Sequence, residues 1–492
     1  MPTVVTTMCK AGQIDEAYEL AKANCASDPT SVWAQRDLGW AIYYAIKRDA
    51  DAGDYANLVE RVEDLKGLNL LTTATDGMIY ENVQWQIGMF LKNHIAPNDI
   101  DAQSKLSTLF HLLRGYSFSS SKGHSVLLQY YIKFNAWTEM ADFLDWWNLE
   151  NLSDEDYVPF QMPNGNKVMA LAERAYIANS KALLNQSNLE RIREFLPKLE
   201  NLMTAHPEMM YPGYFYGKLL LKLGDDEEET LKVVVPFVRK KASEFWAWQL
   251  LSEVYAHEPE KQMACLLRAV HCRTQESFLG KVRIKLASLY IQSNQYDRAR
   301  HHIDAVTRCY LSQGWRLPHD VDCWIHQPWF NDARPNATDS VDYVTITNGI
   351  LCEGTPEAIA VVTYVDPQSQ RASIIYGRQK RMACKLKFNV EVGMVLKINY
   401  TAGADGKIKI ISAVKTKFPN NLDYAKVVTG VVNKQDHNNF AFMRTQDGRC
   451  FISGDKVQKY GVTNGEQIMA LIVYDYNKKK ETWNWVCASI KR

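Results

Sequence analysis

The sequence predicts a multidomain chain, mainly α-helical through about residue 312 and all-β from residue 341, and three observations carry that prediction. Apolar and small residues recur at helical spacing with a 35-residue period between Gly217 and Ala299. Short alternating runs replace them after residue 341. The charge divides at the same place: residues 341–492 hold 22 Lys+Arg against 13 Asp+Glu, net +9, leaving 35 against 43, net −8, in residues 1–340. The formal charge of +1 conceals this split, which assigns any polyanion binding to the C-terminal part. The acidic part is left to avoid nucleic acid or to meet a basic partner. At 492 residues the chain exceeds what one hydrophobic core serves, so about two to four domains are expected.

The helical part, residues 1–312, carries its clearest signal near its end. Trp248-x-x-Leu251-Ser252-x-x-Tyr255 and a following Ala264 recur as Arg283-x-x-Leu286-Ala287-x-x-Tyr290 and Ala299, and Tyr216-Gly217-x-x-Leu220 lies one period earlier. Small residues at Gly217, Ser252 and Ala287 let paired helices approach, while Tyr255 and Tyr290 fill the groove between pairs. Near the N-terminus Gly12, Ala17 and Pro29 followed by Leu38-Gly39 repeat the arrangement. With its 35-residue period, this pattern resembles the tetratricopeptide repeat, over about 1–45 and 210–312, and implies an α-solenoid with a concave protein-binding surface. Between them, over 68–205, the repeats are degenerate; Ile132–Trp147 and Leu171–Leu184 read as amphipathic helices and Gly115–Ser125 as an inter-helix loop. Although that loop contains Lys122-Gly123-His124, it lacks the order of a phosphate-cradling loop. The acidic run Asp225–Glu229 reads as a solvated turn that caps a helix.

Residues 313–340 form a Trp/Pro-rich junction, with Trp315, Trp324, Trp329, Pro318, Pro328 and Pro335, expected to clamp the β part onto the last repeat. Beyond it, alternating runs at Ala358–Val365, Ala372–Tyr376, Val395–Tyr400 and Ile408–Val414, punctuated by Asp366-Pro367 and 403–406, define a first small barrel over 341–418. Its basic strand and loop, Arg378, Lys380, Arg381, Lys385 and Lys387, serves either to neutralise phosphates or as a solvated edge that prevents strand pairing.

A second barrel over 423–492 opens at Gly430-Val431-Val432, continues through Asn439-Phe440-Ala441-Phe442-Met443 and Cys450-Phe451-Ile452-Ser453, and resumes at Gly465-Glu466-Gln467-Ile468 before Glu481–Ile490. Alternation places Phe440 and Phe442 on one side, and a return through Asp447-Gly448 brings Phe451 beside them. Five short strands in this order suggest an OB barrel, and Val392-Gly393-Met394-Val395 precedes Asn464-Gly465-Glu466-Gln467 by 72 residues, so both β modules are read as OB-like. Residues 426–492 resemble the cold-shock domain, whose Gly-x-Val, Gly-Phe-Gly-Phe-Ile, Val-Phe-Val-His and Gly-Gln-x-Val strands these segments follow. The resemblance implies binding of single-stranded RNA or DNA by base stacking on Phe440, Phe442 and Phe451. It departs from the family at Lys434 and Gln435, where the family has aromatics, and at Ser453, where it has His. Lys434, Arg444, Arg449 and Lys456 flank the aromatic strands and are candidate phosphate ligands.

No catalytic constellation emerges. His301-His302 with Asp304 point about 100° apart on a helix, and His319, Asp320, Asp322 and His326 fit turn capping in the junction. Ten cysteines without a Cys-x-x-Cys pair read as reduced and structural. No basic leader or long apolar span is found, which makes the cytoplasm the expected compartment. The expected function is that of a non-enzyme without metal or cofactor, an adaptor binding single-stranded nucleic acid, RNA first, through the barrels and a protein partner through the repeats. Two rivals remain: a protein scaffold without nucleic acid, and an accessory subunit of a nucleic-acid enzyme or defence assembly.

Overall fold

Side-chain caps start the first helices: Thr3, Ser31 and Asp54 accept the backbone N–H three residues on, opening Val4–Lys10, Val32–Ala52 and Tyr55–Lys66. The computed structural model describes residues 3–491 apart from 69, 71–73, 117–119, 225, 387, 404–407, 420–421, 447 and 478–480. Asp225, Lys387, Asp447 and most of the 403–406 turn, all singled out above, lie outside the described residues. The chain forms two compact units, 1–237 and 238–492.

In the first unit helices pack around one apolar core that includes Ile42, Leu58, Ile87, Phe110, Tyr131, Phe143 and Trp147. The expected helix Ile132–Trp147 is broken. Lys122–Tyr131 ends one helix and Met140–Trp147 begins another, with Trp137 in the turn buried edge-on against Phe110. The loop expected over 115–125 also ends sooner, because Ser121 caps the helix that begins at Lys122. His124, in its first turn, is buried flat on Trp147 with ring centroids 4.3 Å apart, and its Nδ1 lies 3.1 Å from Gln84 Oε1. Leu171–Leu184 is helical as expected. A small exposed ribbon, β1 (Phe160–Gln161) and β2 (Lys167–Val168), interrupts the helices.

The second unit opens with helix pairs at the spacing read from the sequence, Phe245–Val254 with Pro259–Val270 and Gly280–Gln292 with Tyr296–Ser312. Ser252, Ala264, Ala287 and Ala299 are buried at the close approaches. The junction wraps the last pair: Trp329 stacks on Tyr296 at 4.9 Å, Arg300 Nη1 donates to the carbonyl of Ala333, and Arg334 N–H donates to Asp297 Oδ1. Among the described residues Trp324 and Trp329 pack around Ala287 and Ile303 of that pair, and the main contact between helices and sheet lies elsewhere. That contact is made by the helix Tyr343–Cys352, which packs on Pro259–Val270; Tyr343 stacks on His271 at 4.7 Å, and Arg239 Nε donates to the carbonyl of Leu351. Asp342 caps this helix, which occupies residues where the sequence suggested the first barrel begins.

The first β module is β3 (Glu357–Val365), β4 (Arg371–Gly377), β5 (Lys380–Lys385), β6 (Val395–Ala402) and β7 (Ile408–Lys415), in the order β5-β4-β3-β6-β7. The second is β8 (Ala425–Asn433), β9 (Ala441–Thr445), β10 (Gly448–Ile452), β11 (Gln467–Asn477) and β12 (Thr482–Lys491), in the same order but closed by a parallel pairing of β10 with β12. Among the described residues the equivalent β5 and β7 stay unpaired, so the first sheet is open. The 72-residue correspondence has a geometric basis. Gly393 N–H donates to the Val362 carbonyl while Val362 N–H donates to Met394, and Gly465 and Val432 repeat that exchange with Glu466. Both glycines have positive φ, +91° and +77°, which a side chain would strain.

The middle of β3 is buried on both sides, which is why Ala360-Val361-Val362 runs without alternation. Val362, Ile374, Leu396 and Ile398 fill the first sheet's own core. Val361, Ile375 and Val395 on the opposite face pack on Tyr424, Leu471, Val473 and Ala488 of the closed barrel.

Candidate nucleic-acid interface

Along β9 and β10 the even alternation of the sequence is realised. Ala441, Met443, Cys450 and Ile452 fill the barrel, and Phe442 and Phe451, directly paired across the ladder, face outward. Strand β9 begins at Ala441, one residue later than the aromatic run, yet Phe440 still falls on the same side. Its ring lies 5.8 Å from Phe442 and 5.7 Å from Phe451, and Phe442 lies 5.6 Å from Phe451. All three are half-buried by one another rather than by the core. Such a triad keeps its faces in place before any ligand arrives.

Two backbone features hold these strands at their positions. Gly430 on β8 faces β9 so closely that a Cβ would stand 2.4 Å from the Arg444 carbonyl oxygen. Gly448 takes φ +108° where β9 turns into β10, a conformation a side chain rarely adopts.

The four cations separate into groups. Arg449 lies over the Phe442 ring, 4.4 Å to its centroid, and directly opposite Arg444, both exposed. Like charges paired across a ladder repel, and an anion between them relieves that cost. Lys434 follows β8, whose Asn433 pairs with Phe442, and its N–H donates to Asn464 Oδ1. Lys456, in the helix Gly454–Tyr460, is turned elsewhere: its Nζ donates to Ser453 Oγ, and its charge is felt by the buried thiols of Cys450 and Cys487. Burial raises both thiols, Cys487 to about 11, and Lys456 only moderates the rise.

Residues 426–490 match the family described as S1/CSD-like domain 2 of the TOTE conflict systems. A second match, over residues 210–346, is to a domain of unknown function, DUF7017. No curated protein matches the chain. Neither description is that of a tetratricopeptide repeat; residues 245–312 form two helix pairs at about that spacing. The C-terminal module is therefore similar to an S1/CSD-like domain and follows a helical region and the first sheet.

Of the histidines considered for chemistry, His319 and His326 are exposed in the junction, His319 3.6 Å from Cys323 Sγ and His326 Nδ1 2.6 Å from the Asp322 carbonyl oxygen. His302 is buried beside Tyr290, with Nδ1 3.1 Å from Arg283 Nη1, and burial and that guanidinium lower it to about 3. His124 is lowered by burial to about 4. Among the described residues no group of three or more His, Cys, Asp or Glu is arranged to hold a metal ion. No described helix is long and apolar enough to cross a membrane.

Sequence reasoning missed one cluster. Tyr474, Tyr476, Trp483 and Trp485 share one face of the β11–β12 ribbon, and the alternation Tyr-Asp-Tyr and Trp-Asn-Trp was the signal for it.

Proposed function

We propose that this chain is a non-catalytic adaptor that holds single-stranded nucleic acid, RNA in the first instance, on Phe440, Phe442 and Phe451 of its closed barrel and brings it to a protein partner. The observation that carries this reading is the outward triad with Arg449 over it, lying in the segment that matches an S1/CSD-like domain. Unpaired bases supply the π-faces that such a surface lacks, and stacking is tolerant of sequence. Arg444, Arg449 and Lys434 are the cations at hand for phosphates, and the +9 balance of residues 341–492 favours a polyanion.

The partner half rests on the helical region. Its −8 balance disfavours nucleic acid, and the ribbon about β1 and β2 exposes Val158, Phe160, Met162 and Met169, an apolar group suited to protein contact. The family description for residues 426–490 favours a setting in a conflict system.

The test is a titration of the full chain with single-stranded RNA, single-stranded DNA and duplex at two salt concentrations. Single-strand binding that weakens steeply with salt supports the reading. Absence of oligonucleotide affinity at the lower salt leaves the protein scaffold as the better account.

A further inference from the structure

Strands β11 and β12 run on past the closed barrel. Strand β8 pairs with β11 only as far as Val473, and β10 meets β12 at Val486, so residues 474–477 and 482–485 form a two-stranded ribbon. Register places Tyr474 opposite Trp485 and Tyr476 opposite Trp483, which gathers four rings on one face. Tyr474 lies 6.0 Å from Trp483 and nearly parallel to it, and Tyr476 lies 5.5 Å from Trp483. That face looks toward β4 and β5 across a cleft of about 460 Å³ lined by Ser373, Gln379, Arg381, Met382, Tyr476 and Trp483.

Cations flank the cleft, and one of them, Arg381, lines it. Arg378 lies over the Tyr474 ring at 5.4 Å and Lys426 over Trp485 at 4.6 Å. Arg381 pairs with Asp475 at 3.5 Å, which fixes its guanidinium at the wall beside Trp483. A flat apolar ring, a hydroxyl, an amide and a fixed guanidinium along a shallow, open cleft suit one nucleotide of an extended strand: a π-surface for the base, polar groups for its edge, a guanidinium beside its phosphate. Two rings stacking to stiffen the ribbon need neither the cleft nor the cations.

We infer that the Tyr476–Trp483 cleft between β5 and the β11–β12 ribbon is a second nucleotide-binding station, taking one unpaired base and its phosphate. The inference rests on the single-strand reading above but uses none of its residues. Phe451 pairs with Val486, three residues from Trp483 along β12, so the stations are separated by about 10 Å of strand. The odd offset turns Trp483 to the face opposite Phe451, so a single strand that fills both stations must pass round the ribbon.

The experiment follows tryptophan fluorescence and affinity of the full chain with AMP, UMP and strands of about 4 and about 16 nucleotides, lengths that bracket single OB sites. Wild type should show quenching by the mononucleotides. Trp483→Ala should abolish that quenching and weaken the long strand about 5- to 150-fold, the equivalent of one stacked base, while Trp483→Phe should keep most of the long-strand affinity without the quenching. The double variant Phe440→Ala with Phe451→Ala should keep the quenching. If folded Trp483→Ala binds the long strand as wild type does, the second station is refuted and the triad reading stands. If the double variant alone is unaffected, the triad reading fails and the cleft is the principal site. Wild type that binds neither mononucleotide nor strand overturns both.

Discussion

Phe440, Phe442 and Phe451 touch one another and leave the core to Ala441, Met443, Cys450 and Ile452, so their removal should cost binding before it costs folding. Replacing Phe440 and Phe451 by Ala is expected to weaken single-strand affinity by about 1–3 kcal/mol for each lost stack, with the melting temperature nearly kept. An unfolded double variant, or a folded one of unchanged affinity, would show the rings to be structural. Arg444 and Arg449 act through charge, so Gln at each should reduce the logarithmic salt slope by roughly 0.7 per contact, uniformly across sequences. An unchanged slope excludes them. The buried histidines should contribute to the response to acid. Each has a folded pKa below the ordinary value of 6.5, about 4 for His124 and about 3 for His302, so each contributes stability that is complete above 6.5 and is lost as pH falls toward those values. Melting temperature should fall between pH 6.5 and 4, and His302→Phe should flatten that fall; an equal fall in the variant would assign it to carboxylates instead.

Among elements, the strands of the closed barrel were legible where they alternate, as β9 and β10 do, and where a glycine has one role. Gly430 is the plainest case. A Cβ there meets backbone oxygen and cannot be relieved by a rotamer change, so Gly430→Ala should destabilise the barrel by about 1–3 kcal/mol, measured by denaturant melts. The helix Tyr343–Cys352 was not legible, since Val344, Thr345, Ile346 and Thr347 favour a strand by propensity. Its Asp342 cap and the packing of Tyr343 on His271 override that preference. The broken helix at 132–139 was hidden for a similar reason: Trp137 keeps an apolar rhythm through a turn that tertiary packing buries. Of the candidate cations, Arg444 and Arg449 followed from strand alternation, whereas the direction of Lys456 depends on the helix Gly454–Tyr460, which no strand pattern foretold.

At the scale of the whole molecule, the division of labour is open to a paired measurement. Ala287 is fully buried against Ile303, Val306 and Val321, under the junction residues Trp324 and Trp329. Ala287→Trp should cost about 1–3 kcal/mol and remove protein partners recovered with the full chain while leaving oligonucleotide affinity intact. Loss of both together would mean that helices and barrels form one binding surface. The seam left open between β5 and β7 has a consequence of a different kind. Strand β11 is hydrogen-bonded on both sides, but among the described residues β5 is bonded only to β4 and β7 only to β6. Edge amides exchange with solvent through small local openings, whereas those of a strand held on both sides wait for larger ones. In heavy water, β5 and β7 should therefore take up deuterium first and β11 last. A nucleotide seated beside Arg381 would slow uptake in β5 and leave β7 as it was, so the timing of isotope exchange would distinguish a filled cleft from an empty one.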